Sequence, residues 1–328
     1  MDLVYSKEKP LFVVSLIISL IFWLAVIIGT FGAALVYVLF FFIFYLFVQS
    51  AFISYLKGTA VKITEEQFPD LYQRVQACCN KIDLNHVPDA YLLHADGVFN
   101  ALAARFLGRN FIALYSDVVD ALESHPGAVN FYIGHELGHI HRKHLVWAPI
   151  LFPAGILPLL GAAYSRAREY TCDRYGLACC EKSEDAAIGL GALAAGGRRW
   201  RSLNKEKYAS QSTATKGFWM SFHELIGDYP WLVKRMAMLN TLPQKQPPRL
   251  PGRHPLAWVL ALFVPRAGTG GAGAAIVLVA IIGILAAIAI PAYQDYNKKV
   301  QAAQSYSTVQ DQEAAMVEHY APEHKGKR

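Results

Sequence analysis

Charged residues are scarce: 17% of the 328 residues are Asp, Glu, Lys or Arg, against 54% hydrophobic. Soluble domains sit nearer about one quarter charged, so the composition excludes a wholly water-exposed chain and places part of it in lipid. The five cysteines, Cys78, Cys79, Cys172, Cys179 and Cys180, lack the spaced framework of a secreted disulfide scaffold. They also lack C-x-x-C spacing, which excludes a cysteine-based zinc site and leaves reduced, partly buried thiols of a cytoplasmic compartment. No glycine-rich phosphate loop is present, because Gly268 to Gly273 precedes an apolar span and reads as a linker. The formal charge of +6 forms no basic stripe interleaved with aromatics, so no nucleic-acid partner is expected. No internal repeat is found.

The apolar residues are clustered. Leu11 to Gly29 is almost wholly apolar and Ala33 to Tyr55 carries no formal charge. Each exceeds or nears the roughly 20 residues that cross a bilayer, and the short uncharged link Thr30-Phe31-Gly32 makes the pair a helical hairpin. No cleavage site followed by a polar region precedes the second run, which argues against a signal peptide. Lys7 and Lys9 before the hairpin and Lys57 and Lys62 after it place the N-terminus and the main domain on the cytoplasmic side.

From Leu56 to Gly273 the chain is long enough for one globular domain. Thr64 to Ile82 is predicted as an amphipathic helix. Ala90 to His94, Val98 to Phe106 and Asn110 to Ser116 are predicted as short strands. Further helices are expected over Asp117 to Glu123, Pro126 to Lys143 and Tyr164 to Lys182, and Gly196 to Gly217 reads as a polar surface loop.

His135-Glu136-Leu137-Gly138-His139 carries the strongest chemical signal. Histidines four apart on a helix project from one face and can reach one metal. Glu136 then lies beside the fourth coordination position, where it can take a proton from the attacking water and later pass it to the leaving amine. A catalytic site needs a third protein ligand, and Arg168-Glu169-Tyr170-Thr171-Cys172-Asp173 offers one: Glu169 can ligate while Asp173, one turn on, bonds a ligand histidine. The competing reading is a solvated face with Arg166, Arg168 and Arg174 paired to these acids. His141 and His144 are assigned to other faces of the helix or its end, near headgroups.

The His135 to His139 motif, followed by Ser165 to Gly176, resembles the HtpX-type membrane metalloproteases, which are grouped with the CAAX prenyl proteases. The resemblance runs from about Leu56 to Asn240. It implies one Zn2+ per chain with His135, His139 and Glu169 as ligands, Glu136 as general base and acid, and Asp173 as support. Phe99 to Ala103 resembles the family's Asn-Ala-x-Ala edge strand, implying that Asn100, Ala101 and Ala103 hold substrate backbone by strand addition; an ordinary strand is the alternative. Tyr229 to Arg235 resembles the family's His-Pro segment ending in Arg. Tyr229 replaces the usual His but retains a hydrogen-bond donor for a developing oxyanion, and Arg235 orders the site by pairing with an acid.

The expected fold is therefore α+β and integral to the membrane. Residues 1–56 form a transmembrane helical hairpin, and 57–245 a mainly helical, zincin-like metalloprotease domain with a small β-sheet. Within it, 145–163 is apolar but lies between His139 and Glu169, so one crossing would separate the ligands. Pro149, Pro153 and Pro158 also oppose a straight span, and a buried or membrane-dipping hairpin is expected. Residues 246–273 read as a linker with an interfacial segment at Leu256 to Val264. Ala274 to Tyr296 resembles the N-terminal helix of type IV pilins, but has Thr269-Gly270 at the cleavage junction and Ala274 where the family has glutamate. It reads as a C-terminal transmembrane helix over 274–292, followed by a tail at 293–328; a helix that docks to pilins is the alternative.

These readings lead to a zinc endopeptidase of the inner membrane, multi-pass, with its catalytic domain cytoplasmic. It would act on membrane or membrane-proximal polypeptides. Membrane lipid and pilin or pilus machinery are the other expected partners. The alternatives are a non-catalytic metal-bearing scaffold in pilus or envelope assembly, and a small-molecule metallohydrolase. Glu136 argues against the first, since a structural site has no use for a base, and the edge strand against the second.

Overall fold

The two apolar runs form α1 (Glu8–Gly29) and α2 (Ala34–Thr59) in the computed structural model, which describes residues 2–94, 101–243, 248–264, 290–291, 293–301 and 309–316. Pro10 falls in the first turn of α1, where its missing N–H is harmless. Phe31 and Gly32, both at positive φ, reverse the chain between the helices. At 1.5 Å per residue the helices reach about 33 and 39 Å, and both are long and apolar enough to cross a membrane. Their apolar side chains are largely uncovered by protein, as at Ile21 and Phe40.

α3 (Pro69–Lys81) starts later than predicted, because Phe68 sits in the left-handed region and Pro69 opens the helix. The sheet contains β1 (Val61–Lys62), β2 (Asp89–Leu93), β3 (Ala101–Phe106) and β4 (Arg109–Tyr115), in the order β1-β2-β4-β3. β2 and β4 run parallel, and the other pairs are antiparallel. Leu107 and Gly108, both at positive φ, make the two-residue hairpin turn between β3 and β4. Central β4 buries Phe111, Ile112, Ala113 and Leu114 in succession, as a strand covered on both faces should. On one face Ile53 and Leu56 from the end of α2 pack with Tyr91, Phe111 and Ala113; on the other Ile112 and Leu114 join the main core.

That core is built on α4 (Ser116–Ala121), α5 (Val129–His141), the long α8 (Leu160–Cys179) and α9 (Ser183–Arg199). α5 and α8 approach closely through glycines. A Cβ at Gly134 would lie 2.6 Å from Cys179 Sγ and 2.8 Å from the Tyr175 carbonyl, and one at Gly176 would lie 2.7 Å from the Phe131 carbonyl. Between them α6 (His144–Trp147) and α7 (Phe152–Ile156) replace any long helix. Lys143 and Leu159, both at positive φ, bound this segment, and Pro153 opens α7. It folds back against α1, where Trp23 Nε1 donates to the Ile150 carbonyl at 3.0 Å and Ala154 N to Ser19 Oγ at 3.2 Å. α5 and α8 thus remain directly opposed.

The stretch 196–217, expected as a loop, is helical for much of its length. It holds the end of α9, kinked at Gly196, then α10 (Lys205–Ser210) between 3-10 turns. The Asn204 side chain caps α10 by accepting from Lys207 N at 2.8 Å. α11 (Phe218–Ile226), α12 (Leu232–Thr241) and α13 (Pro255–Ala261) follow. The chain divides into two compact units, Met1–Arg266 and Ala267–Arg328. In the second, 290–291, 293–301 and 309–316 are helical. The predicted spanning helix at 274–292 lies almost entirely outside the described residues, as does Asn100.

Candidate metal centre

α5 carries His135, Glu136 and His139 on its buried side, and α8 brings Glu169 opposite them. His135 Nε2 lies 3.4 Å from one Glu169 oxygen and His139 Nε2 3.6 Å from the other. Ligand bonds of about 2.1 Å around a tetrahedral zinc place donor atoms roughly 3.4 Å apart, a spacing that each histidine–Glu169 pair matches. The remaining ring nitrogens are engaged: His135 Nδ1 meets Asp173 Oδ1 at 3.1 Å and His139 Nδ1 meets His144 Nδ1 at 3.0 Å. Asp173 is held in turn by Arg235, whose Nε donates to Oδ2 at 2.8 Å while a second guanidinium nitrogen serves Oδ1.

The competing reading of 166–174 as a solvated charged face does not describe this arrangement. Glu169 and Asp173 are buried, one against two histidines and the other against His135 and Arg235. Burial opposes ionisation of Glu169, yet His135, His139 and Arg235 outweigh it and hold the carboxyl well below the usual range. Asp173 is likewise lowered against its burial by Arg235 and His135. Burial lowers His135, but Asp173 and Glu169 prevail and raise it to about 10; burial takes His139 the other way, well below its ordinary value.

Glu136 faces a different environment. Burial, reinforced by Glu169 and opposed by His135, pushes its carboxyl up to about 7, and the Ala103 backbone lies against it. A carboxyl poised there can both take and return a proton near neutral pH. Ala101 and Ala103 sit on β3, the edge strand beside α5. Tyr229 lies after α11, 57% exposed. Partial burial of its phenol, with the charges of Glu169 and Glu136 adding to it, raises its pKa.

Two residues given no role above join this centre. Cys172, three residues after Glu169, is fully buried, and donor atoms of His135, His139 and Cys172 all lie within 4.8 Å of one another. These three could bind a metal ion, so the absence of C-x-x-C spacing did not exclude a thiol from the cluster. His144, assigned above to the headgroup region, is instead buried at 2% exposure. It contacts His139 and, through Nε2, Glu8 Oε1 at 3.3 Å. The left-handed Lys143 ends α5 and folds His144 back toward His139, a turn that helical spacing could not reveal.

Residues 65–151 match the profile of Peptidase family M48, a stretch running from before α3 through β2, β3 and β4 and the whole of α5. A second likeness, over a short segment, is to pilins. The type IV major pilin protein PilE1 of Neisseria gonorrhoeae is 43% identical over 44 residues, 13% of this chain and 27% of that protein. The fimbrial protein of Neisseria meningitidis serogroup B is 43% identical over 44 residues, 13% and 26% of the two chains. Fimbrial protein EcpC of Eikenella corrodens is 47% identical over 45 residues, 14% and 29%. The chain spans about a quarter of the length of these curated relatives, and no solved structure matches it. The profile match supports the M48 metallopeptidase family for the segment that carries His135, Glu136 and His139.

Proposed function

We propose that this chain is a membrane-anchored zinc endopeptidase. The observation that carries it is the convergence of His135 Nε2 and His139 Nε2 on the two oxygens of Glu169, with Glu136 buried beside them. Zinc held there supplies Lewis acidity that makes water nucleophilic near neutral pH. Glu169 is the third ligand in preference to Cys172, because it faces the two ring nitrogens that Asp173 and His144 leave free.

Glu136 takes the proton of the attacking water and delivers it to the leaving amine. The β3 edge, at Ala101 and Ala103 and with Asn100 before them, holds substrate backbone as an added strand. The Tyr229 phenol donates to the developing oxyanion. Arg235 and Asp173 fix the His135 ring. The uncovered apolar faces of α1 and α2 support membrane anchoring; the lysines that flank the hairpin favour a cytoplasmic protease domain, and membrane or membrane-proximal proteins are the substrates we propose. The likeness to pilins supports pilin or its assembly machinery as a partner.

Casein cleavage and zinc content of the purified chain test the reading. Wild type carries one zinc and cleaves; Glu136→Gln keeps the zinc and loses about 10²–10⁴-fold in rate, the usual weight of a general base. Full activity in Glu136→Gln rejects the mechanism.

A further inference from the structure

The two histidines of the metal centre are oriented by different devices. His135 gives its outer nitrogen directly to a carboxylate, Asp173, on the facing helix. His139 has another histidine there: His139 Nδ1 to His144 Nδ1 spans 3.0 Å, and His144 Nε2 to Glu8 Oε1 spans 3.3 Å. A single set of hydrogen positions satisfies the chain. If His139 Nε2 faces the metal, its hydrogen sits on Nδ1 and is donated to His144 Nδ1. His144 then carries its own hydrogen on Nε2, aimed at Glu8. The result is a carboxylate–histidine–histidine series, one link longer than the carboxylate–histidine pair that usually fixes a metal ligand.

Glu8 is an unexpected origin for that series. It lies in the first turn of α1, the apolar helix that begins the chain, and is only 1% exposed. A buried carboxylate is costly unless paired and hydrogen-bonded. Here Oε1 takes both His144 and Arg142 Nε, the latter at 3.0 Å, and Thr171 contacts the same group. The preceding residues are moored to α8: Tyr5 N donates to Thr171 Oγ1 at 3.0 Å, and Arg174 donates to the Asp2 carbonyl at 2.9 Å while stacking on the Tyr5 ring. Anchoring α1 requires none of this inward-facing polarity.

We propose that Glu8 and His144 are positioning residues for His139, so that docking of the N-terminal helix completes the metal centre; the inference rests on reading His135, His139 and Glu169 as the ligands. α1 is then part of the catalytic apparatus as well as an anchor.

The experiment uses the full-length chain in detergent, stripped of metal and titrated with zinc against a chromophoric chelator, with cobalt(II) spectra as a second readout. Glu8→Gln keeps the side-chain shape, and with His144→Ala it should lower zinc affinity about 10–100-fold, the usual effect of losing such a support. One equivalent still binds at saturation, and the cobalt spectrum shifts. The double variant should bind no more weakly than the worse single one, because both interrupt one series. Arg174→Ala removes only the contacts to Asp2 and Tyr5, leaves Glu8 docked on Arg142 and His144, and should keep wild-type affinity. Wild-type affinity and cobalt spectrum in Glu8→Gln, or equal losses in Glu8→Gln and Arg174→Ala, overturn the proposal. His135→Ala separates the two readings. If it loses zinc while Glu8→Gln binds normally, only the Glu8 inference fails; if it binds normally, the ligand assignment itself fails.

Discussion

Gly134 and Cys179 touch across the α5–α8 interface so closely that a Cβ on the glycine would stand 2.6 Å from the thiol sulfur. That contact, one residue before His135, sets how near the histidine helix comes to Glu169. Alanine at 134 gains about 1 kcal/mol in helix propensity. Overpacking a filled core costs typically about 1–3 kcal/mol, and here the Tyr175 carbonyl, 2.8 Å away, cannot move aside as a side chain can. Sterics should win. Gly134→Ala should lower the denaturant midpoint, whereas Gly58→Ala, with nothing within 4 Å of its Cβ, should leave it unchanged or raise it. Equal responses at the two positions count against close packing as the determinant.

A second expectation decides between Glu169 and Cys172. Both lie on α8 and both are buried beside the histidines. Only Glu169 has an oxygen facing each Nε2. Glu169→Gln should therefore abolish zinc retention through dialysis, while Cys172→Ala retains one zinc per chain. Metal analysis of the two proteins reads the outcome directly, and the reverse pattern would assign the site to His135, His139 and Cys172.

The parts of this centre differ in how far the sequence exposes them, and the reason is the range of the contacts involved. His135, Glu136 and His139 are visible because four-residue spacing on one helix fixes their common face. Glu169 and Asp173 share a face one turn apart on α8, but that spacing equally fits a solvated charged face, and it is the resemblance over Ser165 to Gly176 that singles them out. His144 is not visible, because its placement depends on a left-handed Lys143 and on Glu8, 136 residues earlier in the chain. Cys172 is hidden because its neighbours come from another helix rather than from a local cysteine pair. The helices between 196 and 217 escape notice since Gly196, Gly197 and a run of polar side chains carry no apolar period. Asn204 capping and packing of α10 on α12 supply what periodicity does not.

Acid should loosen α11 and α13 through Glu224. Burial would raise its carboxyl, but Arg253 and Lys234 outweigh that and lower it. Lys234 Nζ donates to Oε2 at 2.6 Å, and Arg253 reaches both oxygens at 3.2 Å. A depressed carboxylate contributes stability above its unfolded value, near about 4.3, and surrenders it as pH falls through the folded value. Wild-type stability should thus fall more steeply below about pH 5 than that of Glu224→Gln, which is weaker at neutral pH and nearly flat in this respect. Parallel pH profiles in denaturant titrations would remove Glu224 from the account.

Asp173 bonds both His135 and Arg235, so on the proposed reading it serves metal binding as well as stability, and paired substitutions should separate those roles. Asp173→Asn keeps the shape but leaves Arg235 buried without its counter-ion, a change that costs about 3–5 kcal/mol where a buried pair is broken on one side. It also removes the anion facing His135 Nδ1, which should weaken zinc binding roughly 10–100-fold. Adding Arg235→Gln relieves the first defect and leaves the second untouched. The double variant should therefore unfold at a higher denaturant concentration than Asp173→Asn alone, with zinc affinity still low. Stability and affinity recovering together would mean that Asp173 holds His135 only by supporting the surrounding packing. Additive loss of stability in the double variant would show that Arg235 contributes through contacts other than its paired bonds to Asp173.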